Sequence, residues 1–251
     1  MGQGPIVLAL WRLAAAVGHG LYGVGLVLLR LPSMDPARRH DTIARWAAGL
    51  LRRLGLQLRV EGSFRPGAKL VVANHVSWLD IMAVHAGCPQ ARFVSKAEVR
   101  HWPLISRLVD AAGTLYLERE RRRDAMRVVH QMAEALQQGH TVAVFPEGTT
   151  GRGPQLLPFH ANLLQAAIAT GTPVQPVVLR YSDAHSAFSE AAEFVGDTSL
   201  ARSLWRLARG RGLTVHVTVL PAEASAHADR RALAQHLREQ VDRVLAPHRG
   251  G

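Results

Sequence analysis

Beyond Leu56 the chain alternates between short apolar runs and longer amphipathic segments. The runs Leu56–Val60, Lys69–Ala73, Arg92–Ser95, Thr114–Leu117, Thr141–Phe145, Val174–Leu179 and Thr214–Leu220 have strand length and predict strands. Longer segments fall between most of them. Arg121–Gln138 sets Met126, Val129, Ala133 and Leu136 on one helical face and stops at Gly139. Ala161–Ala169 is closed by Gly171 and Pro173, and Arg230–Leu245 carries Leu233, Leu237, Val241 and Val244 as a stripe ahead of Pro247. Ile81–Val84 reads as the start of a further helix. Strands alternating with helices predict an α/β fold, a largely parallel sheet flanked by helices. Ser182–Asp197 fits no element and reads as a loop-rich insertion.

The first fifty residues have a different pattern. Ile6–Leu31 is apolar apart from Arg12, His19 and Arg30. As a helix it would be ~39 Å long, enough to cross a bilayer. Its glycines at 18, 20, 23 and 25 weaken a helix but let a neighbour approach closely. Pro36–Leu54 follows, with Ile43, Trp46, Ala47, Leu50 and Leu51 against Arg38, Arg39, Arg45, Arg52 and Arg53. An apolar stripe beside a basic face suits an interfacial helix. Residues 1–54 are therefore expected to be a two-helix membrane anchor and 55–251 the α/β domain. A helical hairpin packed on the body is the alternative.

Composition adds a net charge of +11, carried almost wholly by arginine, since Lys69 and Lys96 are the only lysines. Such a chain suits anionic partners: a membrane surface, a phosphorylated substrate or nucleic acid. Few aromatics and no helix-turn-helix, RRM or zinc pattern speak against nucleic acid. One cysteine, Cys88, excludes an intramolecular disulfide. Thirteen histidines invite a metal, but no H-E-x-x-H or Cys/His pairing accompanies them, and no metal is expected.

Three strand ends carry polar clusters, and parallel strands would put all three on one edge of the sheet, where such sheets take ligands. The first is Asn74-His75-Val76-Ser77-Trp78-Leu79-Asp80. His75 and Asp80 can meet only if His75 lies in the turn and Asp80 in the first helical turn. Ser77-x-x-Asp80 resembles a capping box, which makes Ser77 a cap. Imidazole held by carboxylate is an arrangement for a general base acting on a hydroxyl. Taken alone, the spacing also suits a capping aspartate beside a loop histidine. The second cluster is Glu118–Arg123, with Arg119 at the strand end as a phosphate fork. The third, Pro146-Glu147-Gly148-Thr149-Thr150-Gly151-Arg152-Gly153, offers free amides and an arginine to an anion.

At this point the chain resembles the glycerolipid acyltransferases of the lysophosphatidic acid acyltransferase type. Asn74-His75…Asp80 is similar to that family's N-H-x-x-x-x-D block, Gly113–Arg119 to its second block, Phe145-Pro146-Glu147-Gly148-Thr149 to F-P-E-G-T, and Val174-Gln175-Pro176-Val177-Val178 to its fourth. The likeness runs roughly from Leu56 to Leu220. It implies that His75 deprotonates a glycerol hydroxyl, that Asp80 orients His75, and that the alkoxide takes the acyl group from a thioester without a covalent enzyme intermediate. It also implies an acceptor site formed by Asn74, Arg119, Glu147, Gly148, Thr149 and Arg152. Often in that family an arginine directly follows F-P-E-G-T; here Thr150 stands there and the arginine is Arg152. Members with a similar third block act on other lyso-lipids, such as lyso-ornithine lipid.

The expected function is therefore transfer of a fatty acyl chain from acyl-CoA or acyl carrier protein to the sn-2 hydroxyl of 1-acyl-sn-glycerol-3-phosphate. Lyso-ornithine lipid is the alternative acceptor. No cofactor is expected beyond the thioester co-substrate. The expected place is the cytoplasmic face of the inner membrane, in contact with membrane lipid.

Overall fold

A computed structural model describes residues 4–96, 105–117 and 122–249. In chain order the elements are α1 (Ile6–Leu29), α2 (Pro36–Arg53), β1 (Gln57–Glu61), β2 (Lys69–Ala73), α3 (Leu79–Gly87), β3 (Ala91–Lys96), α4 (Ile105–Ala111), β4 (Leu115–Leu117), α5 (Arg122–Gln137), β5 (Thr141–Val144), α6 (Gln165–Thr170), β6 (Val174–Ser182), α7 (Leu200–Arg209), β7 (Thr214–Val219) and α8 (Arg230–Leu245). All seven expected strands are present. The helix expected over Ala161–Ala169 is a 3₁₀ turn, Ala161–Leu164, running into α6.

The strands form one sheet in the order β1-β7-β6-β2-β5-β3-β4. Every pairing is parallel except β6 with β7. That exception has a local cause: after β6 the chain re-enters the sheet at the end it left, with Ser182 opposite Thr214, so β7 must run back. β2, β5 and β4 all point the same way, which sets the ends of their turns along one edge.

β2 is central and buried along its whole length. Its period of two feeds two cores: Val71 and Ala73 face the cluster that holds Leu51, Leu54, Leu79, Leu179 and Val217, while Leu70 and Val72 face Met132, Leu136, Leu164, Leu237 and Val241. Each fully buried leucine contributes about 1.5–3 kcal/mol of transfer free energy.

The N-terminal helices are both packed and exposed. α1 buries Ala9, Ala16, His19, Gly23, Val24 and Leu26. Gly4 N donates to Arg209 O at 2.7 Å, and Arg12 Nη1 donates to the carbonyls of Ala208 at 3.0 Å and Gly210 at 2.8 Å. Between α1 and α2, Trp46 Nε1 donates to His19 O, and a Cβ on Gly23 would stand 2.4 Å from that same nitrogen. Only glycine lets the helices approach there. The opposite stripe of α1 is uncovered: Val7, Leu10, Trp11, Val17, Leu21 and Leu28 are exposed, Val7 to 79% and Trp11 to 66%. The hairpin alternative fits the packed face of α1, and the exposed apolar stripe is its other face. The boundary at residue 54 falls within a shared core, because Leu51 and Leu54 of the first segment pack with the sheet.

α7 was absent from the sequence reading. Arginines at 202, 206 and 209 interrupt its short apolar pattern, and its buried face is supplied by Ser203, Leu207 and Ala208.

α3 buries His85 against the edge of Phe93, with ring centroids 5.0 Å apart. Burial pushes this imidazole down to about 4, with a hydrogen bond to the Pro89 backbone opposing. The folded pKa lies below the ordinary value of about 6.5, so the unfolded chain binds the extra proton between those limits. The stability owed to neutral His85 is whole above pH 6.5 and falls as pH drops toward 4. Between pH 6.5 and 5 the wild type should lose up to about 1.4 kcal/mol per pH unit more than His85→Leu in urea unfolding. Equal slopes for the two proteins would show that His85 is not a buried neutral ring.

Candidate active site

β2 ends in Asn74, and the turn that follows depends on it. Asn74 Nδ2 donates to Leu179 O at 2.8 Å, and Leu179 N donates to Asn74 Oδ1 at 2.7 Å. This two-way bridge to β6 engages both ends of the amide, which is buried. The side chain expected to contact an acceptor instead fixes the exit angle of β2.

His75 lies in the turn and Asp80 in the first turn of α3. His75 Nδ1 stands 2.8 Å from Asp80 Oδ2. That oxygen also accepts from Val76 N at 2.7 Å and Ser77 N at 2.9 Å, while Oδ1 accepts from Tyr181 Oη at 2.6 Å. A fully buried carboxylate with these donors is satisfied as an anion. Burial first, and then the Asp80 charge, push Tyr181 well above the ordinary phenol range, so it stays a donor. With Asp80 an acceptor, the histidine proton belongs on Nδ1 and the Nε2 lone pair is left open. The ring stacks on Phe145 at 4.0 Å and 7°, and Phe145 stacks on Phe93 in turn.

Only half of the expected capping box forms. Asp80 reaches back to the amides of Val76 and Ser77, but Trp78 holds the N-cap position and Ser77 Oγ is buried without a hydrogen-bond partner. Ser77 therefore does not cap through its side chain.

The loop after β5 closes over this turn. Glu147 Oε1 accepts from His75 N and Oε2 from Leu157 N, both at 2.8 Å. Burial pushes the Glu147 carboxyl up, and the two amides pull it back. This side chain ties the loop to the turn, and both oxygens are engaged with the protein itself. Gly151 N donates to His75 O at 2.7 Å, a third tie. Gly148 has φ +71°, and a Cβ there would stand 3.2 Å from the His160 ring. Thr149 and Arg152 are exposed. Thr150 Oγ1 donates to Phe194 O.

The expected site residues thus divide. His75, Gly148, Thr149 and Arg152 stand on the two loops that meet at this edge of the sheet, Asp80 stands in the first turn of α3 beside them, Asn74 and Glu147 hold those loops in place, and Arg119 lies outside the described residues. The sequence reading missed Tyr181, which looks like an ordinary strand aromatic and whose partner Asp80 lies 101 residues away in the chain, so no local signal marked it. Among the described residues no group of three or more His, Cys, Asp or Glu side chains could hold a metal.

Comparison with known proteins places this geometry. The profile of the Acyltransferase family matches residues 57–180. A lyso-ornithine lipid O-acyltransferase of Pseudomonas aeruginosa is 38% identical over 232 residues, which cover 92% of this chain and 88% of the relative. A 1-acyl-sn-glycerol-3-phosphate acyltransferase of Neisseria meningitidis is 36% identical over 229 residues, covering 90% and 89%. The fold is similar to the crystal structure of the 1-acyl-sn-glycerophosphate acyltransferase of Thermotoga maritima, with a TM-score of 0.75 over 96% of this chain and 95% of that one, at 23% identity.

The double tie at Glu147 has a measurable consequence. Glu147→Ala strands the amides of His75 and Leu157, each at about 1–3 kcal/mol where water cannot replace the carboxylate. Urea unfolding should report that loss, and amide hydrogen exchange should accelerate at both residues. Unaltered protection at His75 would show that the turn is held by something else.

Proposed function

The chain belongs to the acyltransferase family, and on that premise we propose that it moves a fatty acyl group from acyl-CoA or acyl carrier protein to the sn-2 hydroxyl of 1-acyl-sn-glycerol-3-phosphate. The observation that carries this reading is the 2.8 Å contact between His75 Nδ1 and the buried Asp80 carboxylate, which leaves Nε2 as the free base at the sheet edge.

The chemistry follows from that nitrogen. An alcohol is too weak an acid to attack a thioester at neutral pH unaided, and a neutral imidazole suits the task. Nε2 takes the hydroxyl proton as the oxygen bonds to the thioester carbonyl carbon. The tetrahedral intermediate collapses by breaking the C–S bond, and the thiolate receives the proton back from His75. Asp80 stabilises the imidazolium formed between these events, and the other donors on its oxygens keep it from moving. Amides near Gly148, the exposed Thr149, Arg119 and Arg152 serve the acceptor's phosphate.

A second acceptor, lyso-ornithine lipid, is favoured by one departure. Thr150 stands where an arginine often follows F-P-E-G-T, and its hydroxyl is spent on Phe194 O. The Pseudomonas relative carries that acceptor in its name.

The uncovered stripe of α1 supports attachment to the membrane from the cytoplasmic side. α1 is long and apolar enough to cross a bilayer, yet its other face is fastened to α2 and α7 along its length. A helix so fastened lies in one leaflet with its stripe among acyl chains.

Two experiments test these readings. His75→Ala should lower kcat per folded molecule by roughly 10²–10⁴-fold while circular dichroism shows the fold retained, and Asp80→Asn should lower kcat as well. A folded His75→Ala protein with near-wild-type single-turnover acyl transfer would sink the general-base mechanism. For the membrane, Trp11→Glu with Leu21→Glu should cut co-sedimentation with anionic phosphatidylglycerol vesicles by at least ~10-fold, since each change removes about 1.5–3 kcal/mol of apolar burial. Undiminished binding at high salt would place the attachment elsewhere.

A further inference from the structure

The segment between β6 and α7 is stitched to both arms of the site. Phe194 N donates to Val76 O at 3.1 Å, beside the catalytic histidine. Phe194 O accepts from Thr150, two residues before Arg152. A Cβ on Gly153 would touch Phe188 at 3.4 Å, so the same segment backs the loop after β5. Glu193, next to Phe194, is thereby brought to the mouth of the site, half-buried.

α7 is tied to the same turn. Trp78 Nε1 donates to Ser203 Oγ at 3.1 Å. Arg206, three residues on, shares that face of the helix. Burial pushes the Glu193 carboxyl up, the Arg152 charge pulls it back, exposed Glu190 adds to the push, and Arg206 pulls back again. Yet among the described residues none of Glu193, Arg152 and Arg206 forms a side-chain hydrogen bond or a direct ion pair.

Glu193 adjoins Phe194, which is tied to Val76 and Thr150, Arg152 stands two residues beyond Thr150, and Arg206 lies one helical turn beyond Ser203, which is tied to Trp78; charges of both signs gathered around one turn without pairing favour a ligand that brings both signs. A phosphate monoester would satisfy the arginines and confront Glu193. A headgroup with one ammonium and one carboxylate would satisfy all three side chains. We propose that Glu193, Arg152 and Arg206 form the headgroup-reading site, and that Glu193 lets this enzyme accept lyso-lipids with a zwitterionic amino-acid headgroup alongside the phosphate acceptor. This inference rests on the acyl-transfer reading above and assigns the residues that set the balance between its two acceptors.

The test is the ratio of kcat/KM for lyso-ornithine lipid and for lysophosphatidic acid, with one thioester donor throughout. Glu193→Gln keeps size and shape. It should lower kcat/KM for lyso-ornithine lipid by at least ~10-fold, the loss of one charge-assisted hydrogen bond, and raise it for lysophosphatidic acid. Arg206→Gln should lower both. An unmoved ratio in Glu193→Gln overturns the assignment, as does a wild type that acylates lysophosphatidic acid but no amino-acid lyso-lipid. A wild type that acylates neither, while folded and bound to vesicles, overturns the acyl-transfer reading itself and this inference with it.

Discussion

Asp80 is a full negative charge with no access to water, and the active end of the molecule is arranged to make that tolerable. An isolated carboxylate in such a place would protonate or drag the structure open. Here two amides of its own turn, a tyrosine from β6 and the His75 imidazole supply the compensation. The arrangement works in both directions. The donors hold the charge in place, and the held charge fixes the tautomer and aim of His75. Losing any one donor therefore affects both the fold of the turn and the aim of its histidine.

The polar residues around it serve the backbone more than any ligand. Asn74 replaces ladder hydrogen bonds where β2 leaves the sheet beside β6. Glu147 takes the amide of the residue that carries the base, and Gly151 takes its carbonyl. His75 is thus gripped by its main chain on both sides, with its ring pressed against Phe145. A base that moves a proton across a fixed gap benefits from such rigidity, because the geometry of attack is set before the substrate arrives.

Much of this was legible in the sequence, for identifiable reasons. The continuous apolar run Leu70–Ala73 and the stripes of α5 and α8 are strong signals, and they gave the buried strand, the helices and the common edge of three polar turns. The spacing of His75 and Asp80 admitted one geometry, a turn followed by a helix, and the fold has it. What stayed hidden depends on partners distant in the chain. Nothing local tells that Asn74 will meet Leu179, that Tyr181 will meet Asp80, or that Ser77 will leave the capping to the aspartate. α7 was hidden because arginines at 202, 206 and 209 break its short apolar run and serine fills part of its buried side, which blurs the apolar period.

α1 is braced to α7 by Gly4 and Arg12, and α7 is braced to the catalytic turn through Ser203 and Trp78. On the proposed reading, a helix lying in one leaflet is thus joined, through one intermediate helix, to the turn that carries His75. On the proposed placement, the height of His75 above the lipid is a fixed dimension of the protein, like the setting of a depth gauge. Acceptors are then sorted by how far their free hydroxyl rises from the acyl region, a criterion of position that acts before any headgroup is read.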